Sequence, residues 1–239
     1  MTAATAHLLV IYAILGMPLF ARVWHEKAKR QIAAGDPQAK VRLYQKIVVE
    51  QVATTAVVLG LWLRGWISAA SLGLNAPRSW EWNIVLLAIL IPSLLWSAFK
   101  LRPKAEKVRK QLDGVLGALI PGSTRERCWW GTVSIGAGIS EELVFRGFLF
   151  YYLALYLPQI NSLEKIVLTS LIFGVAHLYQ GKKGIVGASV LGLIGATIYV
   201  ISGSLLVPIV LHAVIDWRLL LMLPPEPEAE ASAMVATKA

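Results

Sequence analysis

The chain has 239 residues, of which 56% are hydrophobic and 15% are charged. This composition excludes a disordered chain, and its charged share lies well below the about 25% that is typical of soluble domains. The net charge of +9 would suit a soluble nucleic-acid-binding protein, but the basic residues concentrate in two segments between apolar runs, 22–46 and 100–127. Such segments are typical of cytoplasmic loops between membrane spans, so we expect the lipid bilayer as a partner and no nucleic acid.

Seven apolar runs predict an all-α, polytopic membrane protein with about seven transmembrane helices. The runs cover residues 7–24, 47–66, 82–101, 129–157, 165–180, 184–201 and 204–223. The fifth run is short, so a tilted or partly buried helix is expected there. If both basic segments are cytoplasmic, alternation of the spans places the amino terminus outside and the carboxyl terminus inside. We therefore expect a multi-pass integral protein of the cell membrane.

The chain divides into three parts by composition. Residues 1–127 supply the first three spans and both basic segments, and residues 128–223 supply four spans that contain polar residues. Residues 224–239 form a tail rich in Pro, Glu and Ala, which is predicted to be disordered.

Ionisable residues inside the last four predicted spans are the most informative feature of the sequence. Each charge at mid-membrane costs about 2.5–3.5 kcal/mol on insertion scales, so such residues usually face a polar interior and have a function. They are Glu141, Glu142, Arg146, His177, His212 and Asp216. In the first three spans, Glu50 and Arg64 fall near predicted span ends, where an interfacial position would explain them.

The spacing of these residues suggests how they are used. Glu142 and Arg146 stand four residues apart on one helix face and predict a structural ion pair, whereas Glu141 is rotated by about 100° and stays free to exchange protons. His212 and Asp216 share the same offset, so the aspartate could orient the imidazole or stand beside it. A single buried histidine is often only a hydrogen-bonded core residue, but two histidines with a spare glutamate favour a shared active site.

At these residues the sequence resembles the CPBP intramembrane proteases. That family comprises the CAAX prenyl endopeptidases of the Rce1 type and the bacterial Abi proteins of bacteriocin processing and self-immunity. Its pattern is Glu-Glu-x-x-x-Arg, then Phe-x-x-x-His, then His-x-x-x-Asn or Asp. The motifs stand here as Glu141-Glu142-Leu-Val-Phe-Arg146, Phe173-Gly-Val-Ala-His177 and His212-Ala-Val-Ile-Asp216. The resemblance covers roughly residues 128–223, which it identifies as a catalytic membrane core.

The resemblance implies an intramembrane endopeptidase that hydrolyses a peptide bond of a membrane-associated or lipidated, CAAX-type protein or peptide. It implies Glu141 as the general base, His177 as a group that positions or deprotonates the water, and His212 with Asp216 facing the developing oxyanion. A metal-dependent version stays open, in which Glu141, His177 and His212 bind Zn²⁺ and a water takes the fourth position.

Two other classes of function also stay open. A proton-coupled transporter could use the same glutamates and histidines as a relay, and broken helices or an inverted repeat would favour it. A non-catalytic membrane scaffold or a bacteriocin self-immunity protein would keep the fold but tolerate the loss of Glu141.

Overall fold

The computed structural model describes residues 3–225, and every regular element in that range is helical. The helices are α1 (Ala3–Ala33), α2 (Ala39–Leu63), α3 (Trp80–Leu101), α4 (Ala105–Leu116), α5 (Thr124–Glu142), α6 (Leu149–Tyr156), α7 (Ser162–Ala176), α8 (Gly181–Ser202), α9 (Leu206–Trp217) and α10 (Leu219–Met222). The predicted all-α membrane fold is confirmed. The predicted tail lies outside the described residues from position 226 onward.

All seven predicted spans are helical, but only part of them could cross a bilayer alone. Four helices among the described residues are long and apolar enough, namely Ala3–Ala33, Ala39–Leu63, Trp80–Leu112 and Leu178–Ser202. By contrast, α7 has 15 residues and α9 has 12. At 1.5 Å per residue they reach only about 23 and 18 Å, short of the roughly 30 Å hydrocarbon core. The short helices α7 and α9, which carry the second and third motifs, therefore need the long apolar helices around them.

Side-chain caps fix where the motif-bearing helices begin. The Ser123 hydroxyl accepts a hydrogen bond from the Glu126 amide at 3.3 Å, and the Glu126 carboxylate bonds back to the Ser123 amide. Asn161 and Glu164 form the same reciprocal pair at the start of α7. Capping boxes of this kind satisfy amide donors that the first helical turn leaves unpaired. By fixing the first residue of each helix, they fix how far along α5 the glutamates lie and how far along α7 its terminal histidine lies.

The predicted basic loops are mostly helical. Within 22–46 only residues 34–38 lie outside α1 and α2, and 100–127 contains α4 and the start of α5. Both segments nevertheless lie at one end of the bundle, where Lys40 Nζ donates to the Ile120 carbonyl at 3.0 Å. Basic helix ends satisfy the positive-inside rule as well as loops do, because their side chains reach the headgroup region.

The opposite end is closed by the connections after α2 and α8. The Arg78 amide donates to the Ser202 carbonyl at 2.9 Å, and the Leu205 amide donates to the Gly73 carbonyl at 2.8 Å. These contacts agree with the alternation of spans expected from the sequence. Which end faces the cytoplasm stays a prediction.

Small residues allow the motif-bearing helices to approach closely. A Cβ atom on Gly138 of α5 would lie 2.7 Å from the Ile209 carbonyl oxygen and 3.0 Å from the Ala213 amide nitrogen of α9. On the other side of the site, a Cβ atom on Gly192 of α8 would lie 3.0 Å from the Ser170 Cα of α7. Backbones that pack this closely are typical of helix pairs inside membranes.

We predict that Gly138→Ala lowers the thermal unfolding midpoint of the protein in detergent. The added methyl group must push α9 away from α5, and overpacking of this kind costs about 1–3 kcal/mol. Gly60→Ala in α2 is the matched control, because a Cβ atom there meets nothing within 4 Å. Alanine is also the better helix former, so the control should be as stable as the parent or slightly more stable. Equal midpoints for the two variants would contradict the close contact between α5 and α9.

Candidate active site

The helix that carries the two glutamates changes geometry directly after them. The α-helical hydrogen bonding of α5 ends at Glu142, and the chain is π-helical through Leu143–Phe148 before α6 begins. Within this segment Arg146 Nη1 donates to Glu142 Oε1 at 2.9 Å, and both side chains are only 2% exposed. Single π-helical turns inside α-helices occur frequently at functional sites.

Arg146 connects the glutamate helix to two neighbouring helices. Its Nη2 donates to the Gly192 carbonyl of α8 at 3.1 Å. Its guanidinium carbon lies 4.6 Å from the centre of the Phe173 ring of α7, within the range of a cation–π contact. A Cβ atom on Gly195 would lie only 3.0 Å from Nη2, so a glycine there leaves space for the guanidinium. Arg146 thus holds α5, α7 and α8 in one arrangement.

His212 is oriented by Glu142. Its Nδ1 lies 2.7 Å from Glu142 Oε1, the same oxygen that accepts from Arg146. A carboxylate paired with a guanidinium accepts hydrogen bonds and does not donate them, so Nδ1 carries the hydrogen. The other ring nitrogen, Nε2, then lies 3.9 Å from Glu141 Oε2 and 3.7 Å from Asp216 Oδ2. Asp216 therefore stands beside the reactive nitrogen, while Glu142 takes the orienting position that the sequence had allowed for Asp216.

His177 is oriented by the backbone of its own helix. It follows the last residue of α7, and its Nδ1 lies 2.8 Å from the Phe173 carbonyl oxygen. A carbonyl oxygen only accepts, so Nδ1 donates and the Nε2 lone pair is exposed to the site. The Nε2 atom lies 3.8 Å from Glu141 Oε2, and the imidazole packs on the Phe173 ring with 4.6 Å between the ring centroids.

Glu141 lies between the two imidazoles without bonding to either of them. Its Oε2 is buried and has no hydrogen-bond partner within residues 3–225. The separations of 3.8 and 3.9 Å from the two Nε2 atoms exceed the usual 2.7–3.2 Å of a hydrogen bond. A water molecule that donates at about 2.8 Å both to the carboxylate and to Nε2 of His177 fits a separation of this size. The arrangement can therefore hold a water and accept its proton.

The donor types of Glu141, His177 and His212 are those of a catalytic zinc site. Ligands of a tetrahedral zinc with bonds of about 2.0–2.1 Å lie roughly 3.3 Å apart, closer than the carboxylate and imidazole atoms of this site. Across the described part of the chain, no group of three or more His, Cys, Asp or Glu side chains is placed to hold a metal ion. The expected Zn²⁺ stays a prediction.

A large apolar cavity opens beside these groups. It measures about 510 Å³ and reaches from His212 and Asp216 to helices α3 and α8. Its far wall is aliphatic and consists of Leu90, Leu94, Leu191, Ile194 and Ile198. Cavities of about 300–1,000 Å³ with apolar walls and a few polar groups are typical of ligand sites.

The sequence alone did not connect Glu50 with the site. The apolar run that begins at residue 47 predicts a position for Glu50 near a span end, and its depth in the bilayer stays a prediction. The helix itself begins at Ala39, so Glu50 lies near the middle of α2. There it lines a second, smaller cavity together with Glu141 and His177. The polar residues before position 47 continue the helical pattern toward the amino end. That pattern is the sequence signal that the helix begins before the apolar run does.

Replacing Glu142 should lower stability much more than replacing a glutamate in an exposed pair. Glu142→Gln leaves the Arg146 charge buried without its counter-charge, which costs about 3–5 kcal/mol. Glu26→Gln is the matched control, because Glu26 and Lys29 form an exposed pair at 3.5 Å and such pairs contribute little. Thermal unfolding in detergent measures both effects.

The double variant Glu142→Gln with Arg146→Met should recover part of that loss, because no unpaired charge then stays buried. If Glu142→Gln unfolds at the same temperature as Glu26→Gln, the buried pair does not stabilise the site as described.

Comparison with protein-family models matches residues 123–218 to type II CAAX prenyl endopeptidase Rce1-like. The match begins at the cap of α5 and ends just after α9, so it contains all three motifs. It confirms the resemblance drawn from those motifs. Comparison with curated proteins and with solved structures gives no match.

Proposed function

Residues 123–218 belong to the Rce1-like family of CAAX-type proteases, and from this premise we propose that the chain is an intramembrane endopeptidase acting on a lipidated or otherwise membrane-associated, CAAX-type substrate. One observation carries the proposal. The Glu141 carboxylate and the Nε2 atoms of His177 and His212 converge at 3.8–3.9 Å beside an apolar cavity. A base, two oriented imidazoles and an apolar cavity are what hydrolysis of a membrane-embedded peptide requires.

In the proposed reaction, Glu141 is the general base. A water molecule is held between its carboxylate and the Nε2 lone pair of His177. Glu141 takes one proton of the water while the water oxygen forms a bond to the carbonyl carbon of the substrate, which gives a tetrahedral oxyanion. The C–N bond then breaks, and the proton passes from Glu141 to the leaving amine. Water is thus divided between the two products, and Glu141 returns to its starting state.

We assign His212 to the oxyanion. Glu142 holds its Nδ1 hydrogen, so Nε2 points to the reacting atoms, and in its protonated form it donates to the developing negative charge. An ionised aspartate would repel an oxyanion, which places the oxyanion against His212 and away from Asp216. The carboxylate of Asp216 lies 3.7 Å from Nε2, beyond hydrogen-bond distance, and its negative charge then stabilises the protonated imidazole.

The apolar cavity supplies the substrate site in this proposal. Its aliphatic wall on α3 and α8 fits a hydrocarbon group, and its polar end at Asp216 and His212 fits the peptide backbone. Burial of apolar surface contributes about 25 cal/mol per Å², so a lipidated peptide gains binding energy that an unmodified peptide lacks. The side chains around the cavity therefore favour a lipidated peptide as the substrate.

We predict that Glu141→Gln lowers kcat on a farnesylated CAAX peptide by about 10²–10⁴-fold, the usual contribution of a general base, while the thermal midpoint changes little. Glutamine keeps the shape of the side chain but cannot take the proton. The matched control is Glu106→Gln, an exposed carboxylate of α4 that lines neither cavity. Mass spectrometry of the released peptide gives the rate.

Full turnover by Glu141→Gln would contradict its role as the base, and no turnover by the parent on any peptide of a prenylated panel would favour the scaffold alternative. The same assay with a chelator separates the two versions of the mechanism. Loss of activity that added Zn²⁺ restores would support the metal-dependent version.

A further inference from the structure

A second cavity reaches the candidate site from the side of α1 and α2. It measures about 80 Å³ and shares Glu141 and His177 with the large cavity. Its lining also includes residues on helices outside the family match, with Met17 and Ala21 on α1 and Glu50 on α2. Two adjoining spaces therefore meet at the carboxylate proposed as the base.

The size of the second cavity limits what it can hold. A water molecule needs about 10–15 Å³ of such space, so a volume of about 80 Å³ admits a few waters. A peptide or a prenyl chain needs the several hundred Å³ that the other cavity provides. The small cavity thus fits a few water molecules and is too small for a prenyl chain.

Glu50 gives this cavity a fixed acceptor. The Tyr12 hydroxyl and the Thr54 hydroxyl both donate to Glu50 Oε1, the second at 3.2 Å. With both protein donors on Oε1, Oε2 is available to the cavity. Tyr12 begins the π-helical turn Tyr12–Gly16, and a Cβ atom on Gly16 would collide with the tyrosine ring. The turn and its glycine therefore place the hydroxyl against Glu50.

This cluster does not resemble a structural ion pair. None of the hydrogen-bond partners of Glu50 within residues 3–225 carries a positive charge. A carboxylate held away from bulk water is costly unless it meets polar partners, and intramembrane carboxylates usually face a polar interior with a functional role. Contact with water in the small cavity would offset part of that cost.

We propose that the small cavity stores the water consumed in hydrolysis and that Glu50 is a positioning residue that keeps this water ordered beside Glu141. The inference rests on the proposed function. Substrate and water then reach the site by different routes. The peptide occupies the large cavity, while replacement water arrives from the side of α1 and α2. One water is used in each turnover, its hydroxyl going to the carbonyl carbon and its remaining proton to the leaving amine.

The first test measures water and needs no substrate. Hydroxyl-radical footprinting of the full-length protein oxidises side chains next to bound water, and Met17 lines the small cavity. Glu50→Leu should reduce oxidation of Met17 severalfold, whereas Glu50→Gln, which keeps a polar acceptor, should retain most of it. Glu106→Leu is the control at an exposed site and should leave Met17 oxidation unchanged. Because no turnover is measured, this result does not depend on whether the chain is a protease.

The second test measures turnover of the farnesylated peptide. Glu50→Leu should lower kcat at least tenfold with KM unchanged, since Glu50 does not line the large cavity, and Glu50→Gln should restore part of kcat. Ala21→Leu fills the same cavity from α1 and should lower Met17 oxidation and kcat together, which keeps the test valid if Glu50→Leu fails to fold.

Unchanged Met17 oxidation in Glu50→Leu and Ala21→Leu would overturn the water store. Reduced oxidation with full kcat would overturn its role in hydrolysis, and an increase in KM with constant kcat would assign the cavity to substrate binding instead.

Discussion

The candidate site depends on the contacts that the buried carboxylate of Glu142 makes with Arg146 and His212. One of its oxygens accepts a hydrogen bond from Arg146 at 2.9 Å and lies 2.7 Å from Nδ1 of His212. Through Arg146 it is connected to α7 and α8, and through His212 to α9. A single buried oxygen thus joins four helices and fixes which nitrogen of His212 faces Glu141. The acid that is adjacent in sequence to the proposed base therefore organises the site and takes no part in the proton transfer.

The membrane explains why this organisation is divided among long and short helices. Burying the charges of Glu142 and Arg146 is costly, and it is compensated only when each group has its hydrogen-bond partners. The short helices α7 and α9 cannot span the hydrocarbon core, so the long apolar helices must shield them. The same enclosure gives the candidate site a large apolar cavity and, beside it, a water-sized cavity.

The sequence was sufficient for contacts within one helix and insufficient for contacts between helices. Spacing alone predicted that Glu142 and Arg146 face each other, because residues four apart share a helix face. The contact between Glu142 and His212 joins residues 70 positions apart, and it depends on how α5 and α9 pack. No periodicity encodes that packing, which is why Asp216 was considered for the orienting role. The place of Glu50 in one cavity with Glu141 was not predictable for the same reason, because it depends on how α2 packs against α5.

The tautomer of His212 tests this arrangement most directly. Nitrogen NMR on the full-length protein with ¹⁵N-labelled histidine reports which ring nitrogen carries the hydrogen, and a His212→Gln variant assigns the signal. We predict a hydrogen on Nδ1 of His212 in the parent protein, and loss of that preference when Glu142 is replaced by Leu together with Arg146→Met, which leaves no buried charge. A neutral His212 with its hydrogen on Nε2 in the parent would contradict the account, because Glu142 would then not orient the imidazole toward Glu141.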